Sequence, residues 1–292
     1  VHTITDPKTP KLASNISNYD ISSKIQYKDD ILYTGGDIND KSDPLDAMIL
    51  TFDRPEDTER AKLVIRAKNS IWLDYIYGQF HNLFGEYYDD FLEMQESEDP
   101  KKLEKWSLSQ GIPLAAYIEK NGTWEFVDYF HIAGPLALKD DVLPVDLSDI
   151  YDDEIRIKLE YGYLFWEIDH VAMDFSPNLD VNSTVLPLHS AIDQDNHEVS
   201  HLLANDDDDY QILSKIGDQV TLTWLATPKD TSKARTTILH SKGHYTILKD
   251  PKGIPDVSYL ETFREPGRFT EFSKQKVLEA YKRFDKQQTL KQ

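Results

Sequence analysis

"LEYGYLFWEIDHVAMDF", residues 159–175, decides how the chain is read. Four aromatic residues, Tyr161, Tyr163, Phe165 and Trp166, run into Glu167, Asp169 and His170, and Met173 and Phe175 follow. In an extended chain successive side chains point to opposite faces. Tyr161, Tyr163 and Phe165 fall on one parity, Leu164, Trp166 and Ile168 on the other. Both faces are apolar up to Trp166, the pattern of a strand buried on both sides. Glu167 and Asp169 share the face opposite Trp166 and Ile168, where that strand emerges. They are either acids on a wet face or, with His170, the mouth of a pocket.

Outward from this stretch the pattern stays β-rich. "DAMILTF" (46–52) and "AKLVIRAK" (61–68) have strand length and are joined by a polar connection containing Pro55. "LAAYIEK" and "TWEFVDYFHIA" flank Asn121-Gly122, a strong hairpin signal. The stretch from Asp140 to Phe175 holds two or three more strands. Between these groups the period changes. Ile76, Phe80, Leu83, Phe84, Tyr87, Phe91 and Met94 recur every three or four residues and predict one amphipathic helix. A second helix starts at Asp99-Pro100, an N-cap followed by proline at the first position, and stops at Gly111. Residues 72–111 therefore read as a helical hairpin inserted in a β region.

"SPN" (176–178) breaks the pattern. The expected organisation is a tether or linker over 1–25, a β-sandwich-like domain over 26–178, a smaller β domain over 185–250 and a tail with a helix over 251–292. "QVTLTWLA", "ARTTILH" and "YTILK" supply the strands of the smaller domain. The last helix, about 270–285, is expected to pack back through Phe272, Tyr281 and Phe284. The fold class is thus mainly β: two β-sandwich-like domains, a helical hairpin insert and a C-terminal helix.

Composition narrows the function classes. The formal charge of −20 repels phosphate backbones and argues against nucleic acid and against electrostatic docking on anionic membranes. The absence of cysteine removes disulfides, zinc–thiolate sites and thiol catalysis. No apolar run approaches membrane-spanning length. The polar start, "VHTITDPKTPKLASNISNYD", has no signal-peptide pattern and suits a mature secreted protein, a lipoprotein without its anchoring cysteine, or an excised domain.

Motif searches return little. GxSxG, GxGxxG, a P-loop and HExxH are absent. "DINDKSD" (37–43) and "DQDNHE" (193–198) lack the glycine of a calcium-binding EF loop. Asp206, Asp207 and Asp208 in "NDDDD" are candidate ligands for calcium in an irregular loop, or else a solvated turn. His197 and His201, and His240 and His244, are spaced to face one another only if their backbones allow it. Two segments share a pattern: "WEFVDYFH" (124–131) and "FWEIDHVAMDF" (165–175) each place Glu, Asp and His on aromatic strand sequence. If these strands are neighbours, Asp128, His131, Trp166, Glu167, Asp169 and His170 form a ligand-binding cluster. Paired carboxylates there would suit glycan cleavage, and acids beside rings would suit glycan binding without chemistry. Acids alternating on one wet sheet face would look the same.

"VLPVDLSDIYDDEIRIKLEYGYLFWEIDHVAMDFS", "LLANDDDDYQILSKIGDQVTLTW" and "RTTILHSKGHY" together resemble a β-rich region of uncharacterised exported bacterial proteins. That region is similar to the one following the propeller in FG-GAP/ASPIC (UnbV-like) repeat proteins, over about 113–250. The propeller's Asp-rich calcium repeats are absent from this chain, so no propeller function carries over. The resemblance implies a secreted or cell-surface accessory module, in the periplasm or at the outer membrane. The expected function is a non-enzymatic exported or cell-surface binding or assembly module, of which a lipoprotein accessory subunit is one form, with a protein partner or cell-surface complex. A carbohydrate-binding or carbohydrate-active protein, and a calcium-dependent adhesion module, are the alternatives. No other cofactor is expected.

Overall fold

A computed structural model describes residues 2–36, 45–243, 245 and 248–289. The chain divides into two compact units, Val1–Leu179 with Asp250–Gln292, and Asp180–Lys249. Mainly strands in antiparallel sheets, with a few helices, it has the expected fold class.

The large unit is built on two sheets. β1 (Pro7–Lys8), β9 (Trp166–Asp174), β4 (Arg60–Asn69) and β7 (Lys139–Asp146) lie side by side in the four-stranded sheet. β2 (Leu12–Asn15), β3 (Asp46–Asp53), β8 (Glu154–Tyr161), β5 (Leu114–Lys120) and β6 (Thr123–Phe130) form the five-stranded one. Leu50 and Phe52, Leu63 and Ile65, Ile157 and Leu159, and Val171 and Met173 alternate along their strands and belong to one core. This is the inward half of the period-2 pattern.

Residues 159–175 are two strands rather than one. Tyr161 ends β8 in one sheet, and Trp166 begins β9 in the other. The turn between them closes with the Phe165 N–H donating to the Gly162 carbonyl at 3.0 Å, and Leu164 adopts φ +62°. Alternation cannot distinguish one strand buried on both faces from two strands that contribute to one core from opposite sides. Tyr161, Phe165 and Trp166 are all fully buried at this crossing. Gly162 is required by space: a Cβ there would lie 2.1 Å from the Phe165 ring and 2.7 Å from Thr270 Oγ1.

β9 also carries a bulge. Arg66 pairs with His170 and Ala67 with Ile168, so Asp169 is the extra residue. Parity resets there: Trp166 and Ile168 face the core before it, Val171 and Met173 after it.

The N-terminal segment is not the expected tether. β1 pairs with β9, β2 pairs with β3, and Ile21 and Ile25, at the helical turn α1 (Ser22–Ile25), enter the core. The segment thus joins an edge of each sheet. Asp174 holds it, accepting the N–H groups of Thr5 at 2.7 Å and Asp6 at 2.9 Å beside Lys62 at 3.1 Å. Backbone pairing at an edge needs no apolar composition, so nothing in the polar sequence announced it.

The helical insert contains three helices, α2 (Ile71–Asn82), α3 (Tyr88–Ser97) and α4 (Pro100–Ser109), instead of a hairpin of two. The expected long helix breaks at Gly85, φ +49°. A Cβ at Gly85 would lie 2.0 Å from the Gly253 carbonyl oxygen, which accepts the Glu86 N–H at 3.0 Å. The break is therefore where the C-terminal segment docks. α4 starts as expected, with Asp99 accepting the Lys101 N–H, and Gly111 ends it at φ +69°.

α5 (Val257–Thr262) and α6 (Arg268–Thr289) belong to the same unit. Phe269, Phe272 and Val277 are buried, but Tyr281 and Phe284 are exposed, so only the first half of α6 packs back. The fully buried Gln110 fixes this region: its Nε2 donates to the Glu265 carbonyl at 2.9 Å and its Oε1 accepts the Phe269 N–H at 2.8 Å.

In the small unit β10 (Ser190–Asp193) pairs with β11 (Val220–Thr223), the strand from "QVTLTWLA". "ARTTILH" forms no strand, with Ile238 and Leu239 exposed, because β propensity needs a neighbour to pack against. Thr246 and Ile247 of "YTILK" lie outside the described residues. Among the described residues no helix is long and apolar enough to cross a membrane.

Two outcomes test this architecture. Gly162→Ala should cost about 1–3 kcal/mol in a urea melt, because the Phe165 ring is held against Phe269 with centroids 5.6 Å apart. At Asp174, burial raises the carboxyl's pKa, but hydrogen bonds from Ser176, the Asp6 and Thr5 amides and Lys62 outweigh it and hold it well below the usual range. A depressed folded-state value gives stability that is present above the unfolded value of about 4 and lost as pH falls below it. Asp174→Asn should therefore be less stable at neutral pH, and the gap to wild type should close below about pH 4 in melts across pH.

Candidate functional site

The Asn121-Gly122 turn, φ +50° and +78°, joins β5 to β6 with Lys120 opposite Thr123. β6 is the edge of the five-stranded sheet. Tyr117 pairs with Phe126 and Ala116 with Asp128, so Val127 is an extra residue in β6. The bulge shifts parity. Trp124 and Phe126 face outward before it. After it Phe130, opposite Leu114, enters the core and leaves Tyr129 and His131 outward. Three rings on β6 and His131 just past its end thus line one face over about 20 Å, from the strand rise.

Neighbouring strands frame the row. The Tyr117 and Phe126 rings meet edge to face with centroids 5.6 Å apart. Lys158 Nζ lies 4.4 Å from the Tyr117 ring centre and 5.9 Å from that of Trp124, and the Arg156 guanidinium lies 5.6 Å from Trp124. Glu119 pairs with Arg156 and Glu160 with Lys158. Burial, then the charge of Glu160 and a hydrogen bond to it, push the Tyr117 phenol up to about 12. Phe126 is 51% exposed, and Trp124 and Tyr117 are half-buried.

At the Tyr129–His131 end the row runs into a cleft of about 290 Å³. α4 supplies Glu104 and Ser107, one helical turn apart on the same side, and Pro113, Tyr129, His131 and Ile132 complete it. The Tyr129 and His131 rings meet at 72° with centroids 4.8 Å apart. The Tyr129 pKa is raised, first by burial, then by its hydrogen bond to Glu104 and by the charges of Glu104 and Asp128. The cleft thus offers a carboxylate, a phenol, an imidazole and a hydroxyl around an aromatic corner.

Of the six ligand-binding residues expected from sequence, His131 lines this cleft. Asp128 is exposed beside it, its carboxylate accepting the Tyr129 N–H at 2.9 Å. The other four are not brought near them, because β9 belongs to the other sheet. Trp166 is buried and donates from its indole to the Ile112 carbonyl at 3.0 Å. Glu167 pairs with Lys68 at 2.7 Å. Asp169, fully buried in the bulge, pairs with Arg66 at 3.0 Å. His170 is buried with Nδ1 3.2 Å from the Ile25 carbonyl, and burial pushes its pKa down. The expected convergence of these acids is therefore corrected: in β9 they are ion-pair partners of β4. Sequence reading missed Glu104, Ser107 and Tyr129. Helical spacing on α4 carried the signal for the first two, and the bulge hid Tyr129.

Among the described residues Asp206, Asp207 and Asp208 form no group with metal-ligand spacing. Asp206, Asp207 and Asp208 are exposed, and Asp206 pairs with Lys242. Among the described residues the group with ligand spacing is Asp193, Asp195 and His197, whose ligand atoms lie within 4.8 Å of one another. Asp193 Oδ1 already accepts the Asp195 and His197 N–H groups at 2.8 Å each, which closes the turn without a cation. His197 sits in that turn and His201 in a 3-10 turn, so the two are not on one α-helix. His240 is exposed. His244 and the "DINDKSD" loop lie outside the described residues. Comparison with family models and with curated proteins finds no match.

Asp169→Ala should lower stability by about 3 kcal/mol in a denaturant melt, because it strips a buried partner from Arg66. His131→Ala and Glu104→Gln, on the open cleft, should stay within about 0.5 kcal/mol of wild type.

Proposed function

We propose that the protein is a non-enzymatic binding module whose ligand face is the outer face of β6 with its neighbours β5 and β8, and that the ligand is a glycan. The observation that carries this is the single row Trp124, Phe126 and Tyr129 along β6 with His131 just past its end, all exposed or half-buried. Rings spaced along a strand suit a chain of repeating units whose C–H faces pack on them. The charged groups between the rings suit hydroxyl groups, which hydrogen-bond to ions in place of the water they displace. A dry protein interface would have to desolvate the Arg156–Glu119 and Lys158–Glu160 pairs, at a cost a wet ligand avoids. The acids of this face support binding over chemistry: Glu119 and Glu160 are held by cations, and Glu104 by the Tyr129 phenol. An exported or cell-surface setting belongs to the proposal and rests on the resemblance over 113–250.

On an array of neutral oligosaccharides the wild type should bind at least one chain type. Trp124→Ala with Phe126→Ala should weaken that binding at least tenfold, about 1.4 kcal/mol, with little change in melting temperature. Binding left intact in the double variant, or no binding by the wild type, would sink the reading.

A further inference from the structure

We infer that the cleft receives the terminal unit of the ligand chain, so that the module recognises glycan ends; this rests on the glycan reading of the β6 face. The two ends of the ring row differ. Beyond Trp124 the strand runs into the Asn121-Gly122 turn, whose residues are exposed, and a chain can continue past it. At the other end the row meets the cleft, where Glu104 and Ser107 of α4 join Pro113 and Ile132 in the lining. A volume of about 290 Å³ is at the lower bound of small-molecule sites and matches one ring-sized unit.

The chemistry inside the cleft differs from that of the row. Along the row the polar groups are paired ions. In the cleft Tyr129 and His131 form a corner for an apolar ring face, while Glu104, Ser107 and the imidazole can accept from or donate to several hydroxyls at once. A terminal unit presents one more free hydroxyl than an internal one, and this cluster is where that hydroxyl would be read. The Glu104 carboxylate in the lining and the chain's net charge of −20 disfavour acidic sugars, so the class is a neutral glycan.

The test uses calorimetry on the full chain with β-1,4-linked hexasaccharides of glucose, xylose and N-acetylglucosamine, and with the matching long soluble polymers. End recognition predicts that binding sites on a polymer scale with its number of chain ends and not with its mass. Glu104→Gln and Tyr129→Phe should each weaken hexasaccharide binding at least tenfold, with melting temperatures near wild type. Trp124→Ala should instead remove the gain in affinity between disaccharide and hexasaccharide. If the two cleft variants bind as wild type, or sites scale with polymer mass, end recognition is overturned while the glycan face stands. If the wild type binds none of the probes, both fall.

Discussion

The passage from Tyr161 to Trp166 is the constraint on which the rest of the large unit depends. Within four residues the chain must leave one sheet and enter the other, and the helical insert and the C-terminal helix are both fastened to that crossing. Ser70 donates its N–H to the Phe165 carbonyl at 3.0 Å and its hydroxyl to the Leu164 carbonyl, and the same hydroxyl oxygen caps α2. Asn69 accepts the N–H groups of Ala133 and Gly134, tying down the connection from β6 to β7. Ser273 of α6 donates to the Tyr163 carbonyl at 3.0 Å and accepts the Trp72 indole N–H. The crossing sets where the helical insert begins, where the C-terminal helix lies and how the two sheets meet.

The acids that draw attention in this stretch serve the same end. β4 and β9 present a ladder of opposite charges, Lys62 to Asp174, Arg66 to Asp169 and Lys68 to Glu167. Buried pairs of this kind add little net stability over apolar residues, because desolvation offsets the attraction. What they do is fix arrangement, since a slip in register would leave a charge buried alone. Asp174 shows this most directly, binding the N-terminal segment by its amides and a lysine of β4 at once.

How much of this was legible follows from what each signal measures. Alternation located the strands, Asn121-Gly122 the hairpin, and Asp99-Pro100 with Gly111 the bounds of α4, because these are local preferences of the backbone. Three features lay beyond local pattern. The sheet switch at Gly162 leaves apolar residues on both parities, as a doubly buried strand would. The N-terminal pairing is made by backbone groups, which every residue carries. The bulges at Val127 and Asp169 reverse parity in mid-strand, so Tyr129 and His131 belong with Trp124, and His170 falls opposite Arg66 instead of on the face of Trp166 and Ile168. The candidate site was legible in one residue of six, His131, since a site built from a strand and a helix has no signature in either alone.

The position of β6 bears on how it can bind. An open edge of eight residues is a template for another strand, and natural sheets block such edges. Here the bulge at Val127 disrupts the spacing of the ladder, and Asp128, opposite the core residue Ala116, puts a charge at the rim on the inward side. A strand laid along this edge would meet an irregular row of backbone groups and bury that charge. The same bulge turns Tyr129 and His131 outward into line with Trp124 and Phe126. One inserted residue thus closes the edge to strand addition and lengthens the row of rings on the face, which favours recognition by side chains over recognition by backbone.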